Sequence, residues 1–108
     1  MYSTDEQITW RCAASGKARS YLVKVLDRTL TSFDLVIYQG SRLEKTQQLQ
    51  TIQIAIVENT PQGLKGVGRT EDGETISAIA FKKSLDFEVK HSLFGDATGR
   101  CERNITLN

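Results

Sequence analysis

Few side chains in this sequence can do chemistry, and their spacing decides what is left to them. Cys12 and Cys101 are the two cysteines and His91 is the one histidine. A histidine at a barrel mouth can serve as a general base or ligand. With no Cys, Asp or Glu at ligand spacing, however, it cannot assemble a metal centre, and a hydrogen-bonded core histidine is the favoured reading. The acidic clusters Asp5-Glu6 and Glu71-Asp72-Gly73-Glu74 could hold paired carboxylates for acid–base work. One lies at the start of the chain and the other in a strong turn sequence, so solvated turn chemistry accounts for both. Ser15-Gly16-Lys17 and Gly63-Leu64-Lys65-Gly66 precede no helix and match no complete phosphate loop, which leaves them as turns. No nucleophile, base and orienting group can be named together. No catalytic residue is therefore assigned, no cofactor and no metal are expected, and the chain reads as a non-enzyme.

Charge is equally uncommitted. Fourteen basic and 13 acidic residues are mixed along the chain, for a formal net charge of +1, so no global field draws nucleic acid or an anionic membrane. Lys82-Lys83, Arg100 and Arg103 lack the aromatic interleaving of sheets that bind single strands, and they read as solvated surface. The apolar runs are far shorter than the roughly 20 residues a helix needs to cross a bilayer, so no membrane span is expected. Asn104-Ile105-Thr106 fits the N-glycosylation pattern, which has meaning only in a eukaryotic secretory route. Met1 to Gln7 lacks a basic-then-apolar leader. The protein is then either cytosolic or exported with its signal removed.

The elements that must position these residues are strands. Thr51-Ile52-Gln53-Ile54-Ala55-Ile56-Val57 repeats isoleucine with period 2 and reads as a strand with one buried face. Turn signals cut the rest into similar runs, predicting strands over Gln7–Ala14, Ala18–Asp27, Thr31–Gln39, Leu64–Thr70, Thr75–Lys82, Leu85–Leu93 and Gly99–Leu107. Arg42–Gln50 fits neither period well, and is either a polar edge leading into the isoleucine strand or one short helix. The expected organisation is a flexible segment over 1–6 and a single domain over 7–108. Its fold class is all-β: a small antiparallel up-and-down barrel of about eight strands with at most one short helix, a β-sandwich being the alternative.

An even strand count lets the last strand pair with the first and leaves no free edge. If Cys12 sits opposite Cys101, then Arg11 faces Glu102, Trp10 faces Arg103 and Ile8 faces Ile105. These are an opposite-charge pair, a cation–π pair and an apolar pair, each favourable across strands. A disulfide at that seam would place the protein in an oxidising compartment, periplasmic or secreted. Two reduced thiols in a cytosolic structural domain are the alternative.

The second and third strands are apolar on both faces. Tyr21, Val23, Val25, Phe33, Leu35 and Ile37 can fill the core, while Leu22, Leu26, Val36 and Tyr38 fall on the opposite parity. That second face is either an interface for a protein partner or a second copy of the chain, or it is covered by 42–50 or turned inward by a bulge. Ser15, Gly16 and Lys17 in the first turn are candidate loop contacts. A carrier of small apolar ligands, with lipocalin-like logic, is the competing functional class. Bulky inward residues such as Trp10, Phe33 and Phe87 argue that the interior is filled.

A Trp10-Arg11-Cys12 tripeptide in the first strand, Cys101 in the last and a small meander between them resemble the layout of periplasmic lysozyme-inhibitor barrels of the MliC/PliC type. The resemblance implies an exported, non-enzymatic protein that inserts a loop into a partner's cleft. It extends to layout alone. The family's Ser-Gly-x-x-Tyr inhibitory loop lies in mid-chain, whereas Ser15-Gly16 here follows the first strand, so no inhibitory residues are carried over.

Overall fold

The computed structural model describes residues 6–27, 31–41 and 47–107, with side chains over 9–26, 31–41 and 47–104. Its strands are β1 (Glu6–Ser15), β2 (Arg19–Asp27), β3 (Ser32–Gln39), β4 (Gln48–Asn59), β5 (Gly63–Arg69), β6 (Thr75–Phe81), β7 (Asp86–His91) and β8 (Gly95–Leu107). Each pairs antiparallel with the next, and β8 returns to β1 to close the barrel. This is the expected fold class, with no helix among the described residues. Glu6, assigned by sequence to the flexible segment, already belongs to β1. Residues 1–5 and residues 42–46 of the ambiguous stretch lie outside the described residues, while Gln48, Leu49 and Gln50 are strand.

The closing seam has the register its residue pairs favour. Cys12 opposes Cys101, Arg11 opposes Glu102, Trp10 opposes Arg103 and Ile8 opposes Ile105. The cysteines are bonded, with Cα atoms 3.9 Å apart, and both are buried. The cation–π contact found among the described residues is Arg19 over Phe94, not Arg103 over Trp10. Close approach at the seam also depends on Gly99, where any Cβ would overlap the Ala13 carbonyl of β1. Only glycine allows the two backbones to meet there.

Inward positions alternate along the strands and fill the barrel. Tyr21, Val23, Leu35, Ile37, Ile54, Ile76, Phe87 and Val89 are fully buried. Gly66 also faces inward, and a Cβ on it would overlap Ile54 Cγ2 and lie 3.3 Å from the Phe33 ring. The glycine is the space those two larger side chains occupy. A void beneath Trp10 and Leu26 measures about 10 Å³, room for a single water at most.

Two departures from strict alternation have local causes. Between Trp10/Leu26 and Cys12/Val23 the β1–β2 register shifts, because three steps of β2 span two of β1. This bulge turns Leu26 into the core, 1% exposed, and Val25 out to 59% exposure. The strand assigned to Leu85–Leu93 is shorter at both ends. Leu85 takes a left-handed backbone (φ 63°) after a turn, and Leu93 lies exposed in the next turn. In compensation β8 begins at Gly95, so the 95–98 stretch, which falls between the two last predicted strands, is paired with β7 and, at Thr98, with β1 as well.

Candidate functional site

The alternation of the strands sends the β1–β2, β3–β4, β5–β6 and β7–β8 connections to one rim, called upper here. β1 starts and β8 ends at the lower rim, where β2, β4 and β6 also end and β3, β5 and β7 begin. Two features of the wall and rim are shaped for contact.

The first is a split in the β2–β3 hairpin. These strands pair from Arg19↔Gln39 to Leu22↔Val36 and no further. Below that point, among the described residues, Val23, Leu26 and Asp27 are laddered only to β1 and Ser32–Leu35 only to β4. The β2 bulge sits at the start of the split, as expected of a feature that bends one strand away from its neighbour. The facing edges carry backbone groups with no ladder partner among the described residues. A cleft of about 570 Å³ opens there, lined by Lys24, Val25, Ser32, Asp34 and Gln53 among others. Gln53 Nε2 donates to Ser32 Oγ at 3.0 Å within it.

The second is a cluster under the upper rim. His91, at the end of β7, is 6% exposed, and the Tyr21 hydroxyl lies 2.8 Å from its Nδ1. Burial pushes the Tyr21 phenol up to about 12, against the opposing effect of Arg19, so its proton stays on. Burial is also the main cause that lowers the His91 pKa, with Glu74 opposing and Arg19 assisting, so the ring is neutral. If Tyr21 accepted from Nδ1–H, both its own proton and Nε2 would be unpaired. If Tyr21 donates to Nδ1, one orphan remains, and this is the arrangement that burial favours. His91 therefore carries its hydrogen on Nε2, which is buried without a partner. Phe94 stands edge-on to the imidazole at 4.9 Å between centroids, and the Arg19 guanidinium caps the Phe94 ring at 3.9 Å. Ser92 Oγ donates to Glu74 Oε2 at 2.6 Å. The cleft beside this cluster holds about 280 Å³.

Neither feature is a catalytic constellation. A phenol held at about 12 is a poor nucleophile, and the histidine nitrogen that could act as a base is already accepting from it. Among the described residues no cluster of three or more potential metal ligands occurs, and no helix is long and apolar enough to cross a membrane.

The sequence-nominated residues fall in different places. Leu26 is core, a correction to its outward assignment that the bulge explains. Leu22 and Val36 pair with each other and are buried, and Tyr38 is half-buried, so these three present no open apolar face. Val25, assigned by sequence to the core, is the exposed one. Ser15 and Lys17 are exposed at the upper rim, and Gly16 packs against the backbone of Asp96. His91 was legible as a core histidine. Its partner Tyr21, 70 positions away, was seen only as a core residue. Glu74 belongs to the acidic turn cluster that the sequence explains as solvated turn chemistry, and Arg19 and Phe94 carry no sequence signal for a shared site.

Acid should act through His91. A histidine whose folded pKa lies below its unfolded value of about 6.5 binds its proton first in the unfolded chain, so stability falls as pH drops below that value and is unaffected by this group above it. Urea unfolding at steps between about pH 7.5 and 5 should show this loss. It should be absent in His91→Gln, whose amide can still accept from Tyr21. An equal slope in both proteins would assign the loss to other groups.

The fold and these features define a closed eight-stranded antiparallel barrel with a disulfide across its seam. Comparison of the chain with family models, with curated proteins and with solved structures finds no match.

Proposed function

We propose that the protein is an exported, non-enzymatic binding module of inhibitor-like type, which takes an extended segment of a protein partner into the split of the β2–β3 hairpin. The observation that carries this reading is the pair of facing strand edges, laddered on their outer sides and open to each other. Such edges are completed by another backbone, the mode in which an added strand gains affinity from main-chain hydrogen bonds and specificity from side chains alternating beside it. Val25 supplies an exposed apolar contact, and Lys24 and Asp34 offer both signs of charge along the cleft. The buried disulfide favours an oxidising, periplasmic or secreted setting over a cytosolic one. The layout shared with lysozyme-inhibitor barrels favours an inhibitor role. A packed interior speaks against the apolar-ligand carrier. No metal, cofactor or nucleic acid enters this reading.

Capture from the native exported fraction by the oxidised protein tests it. One macromolecule should be retained, its binding should slow amide exchange in Val23–Asp27 and Ser32–Leu35, and Val25→Arg or Asp34→Lys should weaken it by about tenfold or more, the cost of losing one buried contact. Retention by both variants, or exchange that slows elsewhere, would refute the split as the site. Self-association that rises with concentration and disappears in the same variants would make the partner a second copy.

A further inference from the structure

The upper-rim cleft is independent of the split hairpin and has its own chemistry. His91 is one of its lining residues, and the ring's Nε2–H is a hydrogen-bond donor that the fold buries and leaves without a partner. Natural folds seldom leave such a group unmatched, since an orphaned buried donor costs on the order of 1 to 3 kcal/mol. The same cleft holds one guanidinium, Arg19, and two carboxylates, Asp72 and Glu74. An anion would meet an excess of negative charge there, and a cation would face Arg19. Glu74 has one carboxylate oxygen engaged by Ser92, which leaves the other to accept. A ligand that suits this lining is neutral, accepts from Nε2–H and Arg19, and donates to Glu74 and Asp72. Phe94 and Leu93 add apolar surface at the edge. The volume, about 280 Å³, lies just below the range of drug-sized pockets, roughly 300 to 1,000 Å³.

We infer that this cleft is a binding site for one neutral, hydroxyl-rich ring, a single sugar unit, with His91 Nε2–H as the donor that reads it and Glu74 as the matching acceptor. Each hydroxyl both donates and accepts, and the C–H face of the ring meets Phe94. Entry moves the phenyl ring away from the imidazole it now packs against. Phe94 sits at the tip of the β7–β8 turn beside Gly95, whose φ is 79°.

Nuclear magnetic resonance on the oxidised, full-length protein tests this with defined probes. Glucose, galactose and N-acetylglucosamine are each titrated to about 50 mM, which saturates a site of millimolar affinity, with phosphate, acetate and ethylammonium as charged controls. At least one sugar should shift the His91 Nε2 and Phe94 ring signals saturably, and Glu74→Gln should weaken it about fivefold to tenfold, the difference between a charged and a neutral hydrogen-bond acceptor. Both Glu74→Gln and Arg19→Gln change partly exposed residues, so the fold is expected to survive them. Binding of the charged probes in place of the sugars, shifts that spare His91, or no response to any sugar would each overturn the site.

Discussion

Breaking the Cys12–Cys101 bond is expected to lower the free energy of unfolding by about 4 to 5 kcal/mol, the chain-entropy value for a closed loop of this length. The bonded residues are 89 positions apart, so the crosslink constrains nearly the whole unfolded chain. Small domains total about 5 to 15 kcal/mol, which makes this one covalent bond a third or more of the stability. The seam should nevertheless re-form without it, because β1 and β8 remain paired from Glu6↔Leu107 to Ser15↔Thr98. Urea unfolding of the oxidised protein, of the reduced protein and of the Cys12→Ser/Cys101→Ser double variant measures the difference. Strand content by circular dichroism should be the same in all three at zero denaturant. A change under about 1 kcal/mol would mean that the unfolded chain already keeps its ends together.

Leu26→Asp is expected to unfold the protein, while Val25→Asp one position earlier should change its stability by about 0.5 kcal/mol or less. Leu26 is 1% exposed and packs in the barrel core, whereas Val25 is 59% exposed. Truncating a buried leucine costs about 2 to 5 kcal/mol, and forcing a carboxylate into the same place adds its desolvation. Strict alternation from Tyr21 would predict the opposite order, with Val25 inward. Thermal unfolding of the two variants therefore reads the bulge directly. Equal and mild effects at both positions would place Leu26 on the outer face after all.

The contrast shows which parts of this fold are written locally. The seam register could be read because Cys12 and Cys101 fix one pair and their neighbours then fall into favourable combinations. The isoleucine strand could be read because Ile52, Ile54 and Ile56 keep one parity throughout. The β2 bulge could be named only as an alternative and not located, since Val23-Lys24-Val25-Leu26 carries no glycine or other marker of an extra residue, and the shift arises from pairing with β1. Gly95 to Thr98 has turn-like composition, yet pairing with β7 makes it strand. Leu85 shows the reverse case, an apolar residue of correct parity that the preceding turn forces into a left-handed conformation. The upper-rim cluster draws on β2, β7 and two turns. A parity count places Tyr21 and His91 inside the barrel, but no count on a single strand can say that they touch.

The seam disulfide also decides how the molecule bears mechanical load. β1 starts and β8 ends at the lower rim, and a pull on these two strand ends would unzip β1 from β8 pair by pair, starting at Glu6↔Leu107. That peeling stops at the bond. Tension then passes from Cys12 to Cys101 through sulfur, and the upper part of the barrel with the His91 cleft carries none of it, whereas the lower part of the split loses its Thr9↔Asp27 and Trp10↔Leu26 pairs as β1 peels away. The oxidised barrel can thus be stretched between two attachment points while its His91 cleft keeps its shape, and reduction would turn the same tether into one that unravels it.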